Sequence, residues 1–270
     1  MNTTVIMVSF KSEALVLKNI KSFPESTNII IIENSQNNLF KKKIETQHKN
    51  TFVILNQNNG FGQAANLGAK LATTKYLLFC SPDNFVNHNA IKNLEILSKE
   101  IMDDFGLLVL SEIREDIKDR IEIYKPTGII CFFAIRKNFL QLGGFDESFF
   151  LYYEDNDLVK RFLQNKKRIF KVSIKYKNLQ GSHNKEYNFP IEVNRNWHLM
   201  WSKFYYLKKH HNYFYALLVT LPTFFRSLFK IFFFLSNTKI KAFYIARAGG
   251  LYNAYRLKPS WYRPIINKNK

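Results

Sequence analysis

An α/β fold built on a parallel, doubly wound sheet is predicted by three observations in the first hundred residues. Four short β-rich runs, TVIMVSF, NIIIIEN, TFVILNQ and KYLLFCSPD, each have the length and composition of a buried strand. Stretches with helical spacing separate them, at Ala14 to Ile20, Phe40 to Ile44 and Ala64 to Leu71. Polar residues recur where each run ends, and the carboxyl ends of the strands are where such sheets gather their ligands.

Taken in order, the first run ends in Ser9 and Phe10, and the second in Glu33 and Asn34. The third leads through Asn58 and Asn59 into NNGFGQAANLGAK, a turn punctuated by Gly60 and Gly62 that opens a helix with small residues on its face. This is neither GxGxxG nor a Walker loop, and its spacing alone favours a turn before a tightly packed helix. The fourth run exits through SPDN, where Pro82 stiffens the backbone ahead of Asp83. An acid at that place is either an ordinary Asx turn or a ligand for a divalent ion bridging two phosphates.

The most informative stretch is GGFDESFFLYYEDND, Gly143 to Asp157, in which a glycine turn and an aromatic patch lead into Glu154, Asp155 and Asp157. Clustered carboxylates beside apolar residues repel one another and are costly to desolvate. They serve as metal ligands, a general base or a docking point for cations, or else they mark the acidic first turn of a helix. The following DNDLVKRFLQ reads as that helix, with Leu158, Phe162 and Leu163 on one face.

At 270 residues and 46% hydrophobic content the chain has room for one α/β domain plus an appendage, and a disordered chain is excluded. Cys80 and Cys131 lie in apolar runs and read as buried, reduced thiols. The short apolar run after Met1 lacks the basic flank of a secretory signal, so a cytoplasmic location is expected. Residues 1–150 carry 17 Lys/Arg against 16 Asp/Glu, whereas residues 151–270 carry 23 against 5. A Lys-, Asn- and Phe-rich composition accounts for an excess of lysine but not for a one-sided loss of acids. The second half is therefore expected to meet an anionic partner.

Taken together, VSF, IIEN, NNGFGQAANLG, SPD and GGFDESFFLYYEDNDLVKR, in that order, resemble a family 2 glycosyltransferase of the GT-A fold, in particular its bacterial rhamnosyltransferase-like branch. The resemblance covers about residues 1 to 185. It implies a Rossmann-like, mostly parallel central sheet flanked by helices, with a nucleotide-binding half at about 1–105 and an acceptor half at about 106–188. It also implies roles. Ser9, Phe10, Glu33, Asn59, Gly60, Asn66 and Asp83 would bind the donor, with Glu33 standing where the family more often has Asp. Asp83 would hold Mg²⁺ or Mn²⁺, although Ser81 stands where many relatives carry a second acid. Asp155 would be the general base, with Glu154 as the neighbouring alternative. Gly144, Phe145, Tyr153 and Asp157 would lie on the acceptor side, with Asp157 supporting the helix start or a nearby cation. Many relatives have a histidine before a Gly-Ser pair; here Asn178 holds that place and His183 follows the pair as a candidate ligand near the phosphates.

Residues 189–270 shift to an aromatic and basic composition and read as a helical extension. The uncharged run from Asn212 to Phe225 is 14 residues long, and Pro222, Arg226 and Lys230 interrupt it or follow it, which disfavours a spanning helix. Arg226 and Lys230 amid phenylalanines suit a helix lying in an anionic membrane surface; packing on the catalytic core or a dimer interface is the other reading. The function expected is an inverting transfer of a sugar from dTDP-rhamnose or a UDP-sugar to a surface glycan linked to a polyprenyl diphosphate, at the inner face of the bacterial cytoplasmic membrane. The competing class is a non-catalytic basic protein binding membrane or nucleic acid, but no RRM, helix-turn-helix or zinc pattern supports nucleic acid. A nucleotidyltransferase is a third class, and its glycine-rich loop is absent after VSF.

Overall fold

The computed structural model describes residues 1–179, 189–234 and 237–262. The chain forms two compact units, one of residues 1–146 with 155–185 and the other of residues 147–154 with 186–270.

The first unit alternates strand and helix: β1 (Thr3–Ser9), α1 (Glu13–Ile20), β2 (Asn28–Glu33), α2 (Asn38–Gln47), β3 (Thr51–Leu55), α3 (Phe61–Leu71) and β4 (Tyr76–Phe79). Helical crossovers make β1 parallel to β2 and β4, and β2 parallel to β3. Then follow β5 (Asn84–Val86), α4 (Ala90–Glu100), β6 (Leu107–Glu112), β7 (Arg120–Glu122), β8 (Phe132–Ile135), α5 (Arg136–Gln141), α6 (Glu154–Gln164) and β9 (Ile169–Asn178). The sheet order is β3-β2-β1-β4-β8-β6-β9-β5, with β7 on β9. The pairing turns antiparallel at β4 with β8 and at β6 with β8, the latter two joined through β7 without a helix.

Both faces of the sheet are covered, so its strands are apolar runs rather than alternating ones. Val5, Met7, Ile31, Leu78 and Phe133 pack on one side with α1, α2 and α4. Ile6, Ile32, Leu77, Phe79 and Phe132 pack on the other with Ala64, Ala65 and Ala69 of α3 and with Leu158 and Phe162 of α6. The close fit of α3 has a measurable cause: a Cβ at Gly68 would lie 2.6 Å from Cγ2 of Ile6. Cys80 and Cys131 are free and buried, and contact with Cys80 together with burial holds the Cys131 thiol well above its ordinary range.

Asn19, fully buried at the end of α1, has no counterpart in the sequence reading. Its Nδ2 donates to the carbonyls of Ser81, Pro82 and Asn84 at 3.1, 3.1 and 3.0 Å, pinning the turn that carries Asp83.

The second unit holds α7 (Phe189–His210), α8 (Tyr213–Phe233) and α9 (Thr238–Tyr255) around a core of Trp197, Trp201, Phe204, Ala216 and Leu251. The helix α8 carries Pro222, Arg226 and Lys230 within it, Arg226 and Lys230 one turn apart as the sequence suggested. It runs unbroken for 21 residues and, by length and composition alone, is long and apolar enough to cross a membrane. Pro222 removes one N–H from the helix without ending it.

Two substitutions test this packing by urea denaturation of the full chain. Gly68→Ala forces a methyl into Ile6 and is expected to cost about 2 kcal/mol. Asn19→Ala leaves buried carbonyls without a donor and is expected to cost about 2 kcal/mol as well.

Candidate functional site

The parallel strands β1, β2, β3 and β4 present their carboxyl ends at one edge of the sheet. Ser9, at the end of β1, is buried; its Oγ lies 3.1 Å from Ser12 Oγ and its carbonyl accepts from Asn34 N at 2.8 Å. Phe10 beside it is half-buried. Glu33, at the end of β2, is 0% exposed. Its Oε1 accepts from the backbone N of Ser35 at 2.7 Å and from the Ser35 hydroxyl, while Oε2 is buried with no hydrogen-bond partner among the described residues. A buried carboxylate oxygen left open is costly, and it accepts any N–H or O–H brought to it.

Asn56, beyond β3, donates to Asn34 Oδ1 at 2.8 Å and to Gln63 Oε1 at 2.9 Å, so an amide network joins the ends of β2 and β3 to α3. Asn59 is exposed in the loop that follows, and Gly60 opens α3 at φ +108. Asp83 stands on the turn pinned by Asn19, half-buried, and its carbonyl accepts from Leu179 N at 3.0 Å. The described residues contain no group of three His, Cys, Asp or Glu able to hold a metal ion. The side chain of Asp83 has no ion-pair or hydrogen-bond partner among them either, which fits a cation held by one carboxylate and completed by substrate oxygens. His183 lies outside the described residues.

The second motif is held by buried polar bonds. Asn66 of α3 places both ends of its amide on Phe145: Oδ1 accepts from Phe145 N at 2.8 Å, and Nδ2 donates to Phe145 O at 2.9 Å. Gly144 is required beside it, because its φ is +65 and a Cβ there would lie 2.2 Å from Asn66 Oδ1. Asp157 is fully buried on α6 and accepts from Arg161 Nε at 2.7 Å. The same guanidinium donates to the carbonyls of Leu142 and Gly144 at 3.0 and 2.6 Å. Asn66 and Asp157 thus fix the shape of the glycine turn from two sides, and the sequence alone did not connect either of them to it.

Asp155 is placed differently. Its Oδ2 accepts from Ile129 N at 3.0 Å, and its Oδ1 from Asn156 N and Nδ2 at 2.8 and 3.1 Å. Ile129 lies just before β8, whose Phe132 pairs with Phe79 at the end of β4. Antiparallel pairing carries the start of β8 to the carboxyl end of β4, so this bond brings Asp155 to the edge where the Asp83 turn begins. Burial pushes the Asp155 carboxyl above the ordinary aspartate range, against the opposing pull of the Asn156 and Ile129 donors. Three acids fall at the start of α6, where the N-terminal dipole favours negative charge, and burial still prevails at Asp155.

Glu154 is buried, and with residues 147–153 it belongs to the second unit. There Phe149 meets Tyr205, Phe150 meets His198, Tyr153 meets Tyr206 at 5.4 Å, and Ser202 Oγ donates to Leu151 O at 2.9 Å. Tyr152 and Tyr153 both adopt positive φ, +69 and +67, a strain that L residues sustain only where surrounding contacts impose it.

Residues 4–162, more than half of the chain, match the family model described as glycosyl transferase family 2. Among solved structures, the fold is similar to a mannosyltransferase of Pyrobaculum calidifontis in complex with GDP-Man and Mn²⁺, at TM-score 0.59 and 13% identity, covering 93% of this chain and 87% of that one. It is similar to S. aureus TarS, at TM-score 0.52 and 16% identity over 73% of this chain and 39% of that one. GalNAc-T7 with UDP, GalNAc and Mn²⁺ gives TM-score 0.55 and 15% identity over 66% of this chain and 44% of that one. The chain therefore spans less than half the length of the TarS and GalNAc-T7 chains. No curated protein matches it in sequence. With the ends of β1 to β4, the glycine turn and the acidic helix start all inside the matched residues, the chain belongs to glycosyl transferase family 2.

Proposed function

We propose that the chain is an inverting glycosyltransferase that moves a sugar from a nucleoside diphosphate sugar, dTDP-rhamnose or a UDP-sugar, to a hydroxyl of a glycan carried on a polyprenyl diphosphate. The reading places it at the inner face of a bacterial cytoplasmic membrane. The observation that carries it is Asp155: a carboxyl of raised pKa, oriented by backbone donors, at the sheet edge where Glu33 leaves an acceptor open and Asp83 leaves a carboxylate unpaired among the described residues.

Glu33 Oε2 would accept an N–H of the base or a hydroxyl of the ribose, and Ser9 with its neighbouring backbone would border the nucleoside. Asp83 would hold Mg²⁺ or Mn²⁺, whose charge eases departure of the diphosphate. Asp155 takes the proton of the acceptor hydroxyl as that oxygen bonds to the anomeric carbon. The bond from that carbon to the diphosphate oxygen breaks on the opposite side, its electron pair leaving with the diphosphate, and the configuration inverts. A carboxyl with a raised pKa is a stronger base than a free aspartate, and the donors on both of its oxygens fix its direction. Two similar structures support the donor class, since one holds GDP-Man and the other UDP, each with Mn²⁺.

Calorimetry with UDP, dTDP, GDP and ATP, each with Mn²⁺ and with EDTA, tests the donor half. Metal-dependent preference for UDP or dTDP is expected, and Asp83→Ala should remove the metal dependence; equal affinity for all four with and without metal refutes the reading. Asp155→Asn is expected to abolish transfer and keep nucleotide binding. The acid limb of kcat/KM in the wild type should lie above the ordinary aspartate value of about 4. Because folding raises this pKa, the folded form holds the proton more tightly, and wild-type stability falls as pH rises through the acid range toward the folded pKa. Asp155→Asn should lack that part of the loss, which urea titrations at stepped pH would read directly.

A further inference from the structure

The helix α8 is built inside out. A helix in a water-soluble bundle hides its large apolar side chains and exposes its small and polar ones. Here Ala216, Thr220 and Ser227 are buried, whereas Phe214, Leu218, Phe225, Phe229, Phe232 and Phe233 are 79, 73, 59, 64, 70 and 67% exposed. The exposed positions lie three, four or seven residues apart, with Phe232 and Phe233 both one turn from Phe229, so they form one stripe along the helix. The buried hydroxyls are already satisfied, Thr220 Oγ1 by Ala216 O at 2.7 Å and Ser227 Oγ by Thr223 O at 2.8 Å. The inner face is thus complete, with Tyr213 OH donating to Tyr255 O and Phe224 set against Tyr255.

We infer that this stripe inserts into the surface of an anionic lipid bilayer, with α8 lying in the plane of the membrane. Charge selects the bilayer over a second copy of the chain. Between residues 189 and 262 the sequence has eleven Lys and Arg and one acid, Glu192, so two such faces brought together would repel. Arg226, exposed within the stripe, and Lys230 one turn on sit where headgroup phosphates would meet them. The neighbouring helices argue for lying flat rather than crossing. α7 and α9 pack on α8 and carry Lys203, Lys208, Lys241 and Arg247, charges that a spanning α8 would draw toward the hydrocarbon.

The test is co-sedimentation of the full chain with vesicles of phosphatidylcholine alone or mixed with phosphatidylglycerol. Nucleotide calorimetry is run on each variant, so that failure to fold or failure of the donor reading is seen separately. The wild type is expected to pellet with the anionic vesicles and to be released by alkaline carbonate. Phe229→Ser with Phe232→Ser, both at exposed positions, should weaken that binding by about tenfold or more while nucleotide affinity stays unchanged. Arg226→Glu with Lys230→Glu should weaken it most at low salt. Unchanged vesicle binding by the phenylalanine variant overturns the proposal. So does a wild type that self-associates in the ultracentrifuge through these residues and ignores vesicles, while resistance to carbonate overturns the in-plane orientation.

Discussion

The antiparallel pairing of β8 with β4 is the constraint on which the site depends. Its register sets Phe132 against Phe79, and the rings stack at 4.6 Å inside the core. A slip of one residue would turn every side chain of β8 to the other face of the sheet, taking Phe132 away from Phe79 and exchanging it with Phe133, which packs on the opposite side with Tyr76. Because both strands are buried on both faces, that slip is strongly opposed. The backbone N–H of Ile129, a few residues before β8, is thereby held at the carboxyl end of β4, and it is this N–H that receives Asp155. Apolar packing in the middle of the sheet thus fixes the direction of a carboxylate at its edge.

A second set of bonds sets the position of the helix that carries Asp155. The buried Asp157–Arg161 pair owes less to mutual attraction than to what the guanidinium does with its remaining donors. A buried ion pair alone barely repays its desolvation, but this one also satisfies the carbonyls of Leu142 and Gly144. The amide of Asn66 closes the same turn from α3. Two of the polar residues that stood out in the sequence are therefore bonded inside the scaffold, and Asp155, Asp83 and Glu33 remain as carboxylates at the sheet edge.

The sheet was legible in the sequence because buried parallel strands are unbroken apolar runs between helical periods, a local signal. The glycine turn and acidic cluster were legible as motifs. What stayed hidden was long-range. Asn19 reads as an ordinary helix residue, and nothing local shows that its amide reaches three carbonyls more than sixty positions away. The amide of Asn66 likewise reaches the turn from a distant element, and Asp157 is tied to it through Arg161. For α8, counting uncharged residues measures only a run, whereas the helix sorts its residues by face, and Pro222 and Arg226 fall on the open one.

The segment that leads into Asp155 carries a further consequence. Residues 147–154 are bonded to α7, through Phe149, Phe150, Leu151 and Tyr153, and Asp155 follows one peptide bond later. Tyr152 and Tyr153 hold left-handed backbone conformations that cost about 1–3 kcal/mol each in the absence of compensating contacts. Those contacts are the rings and the hydroxyl of α7, so the strain persists only while α7 is in place. If the bundle of α7, α8 and α9 is seated by lipid, residues 147–154 are seated with it. The left-handed backbone at Tyr152 and Tyr153 is thus a property of the second unit, held by α7 and lost with it.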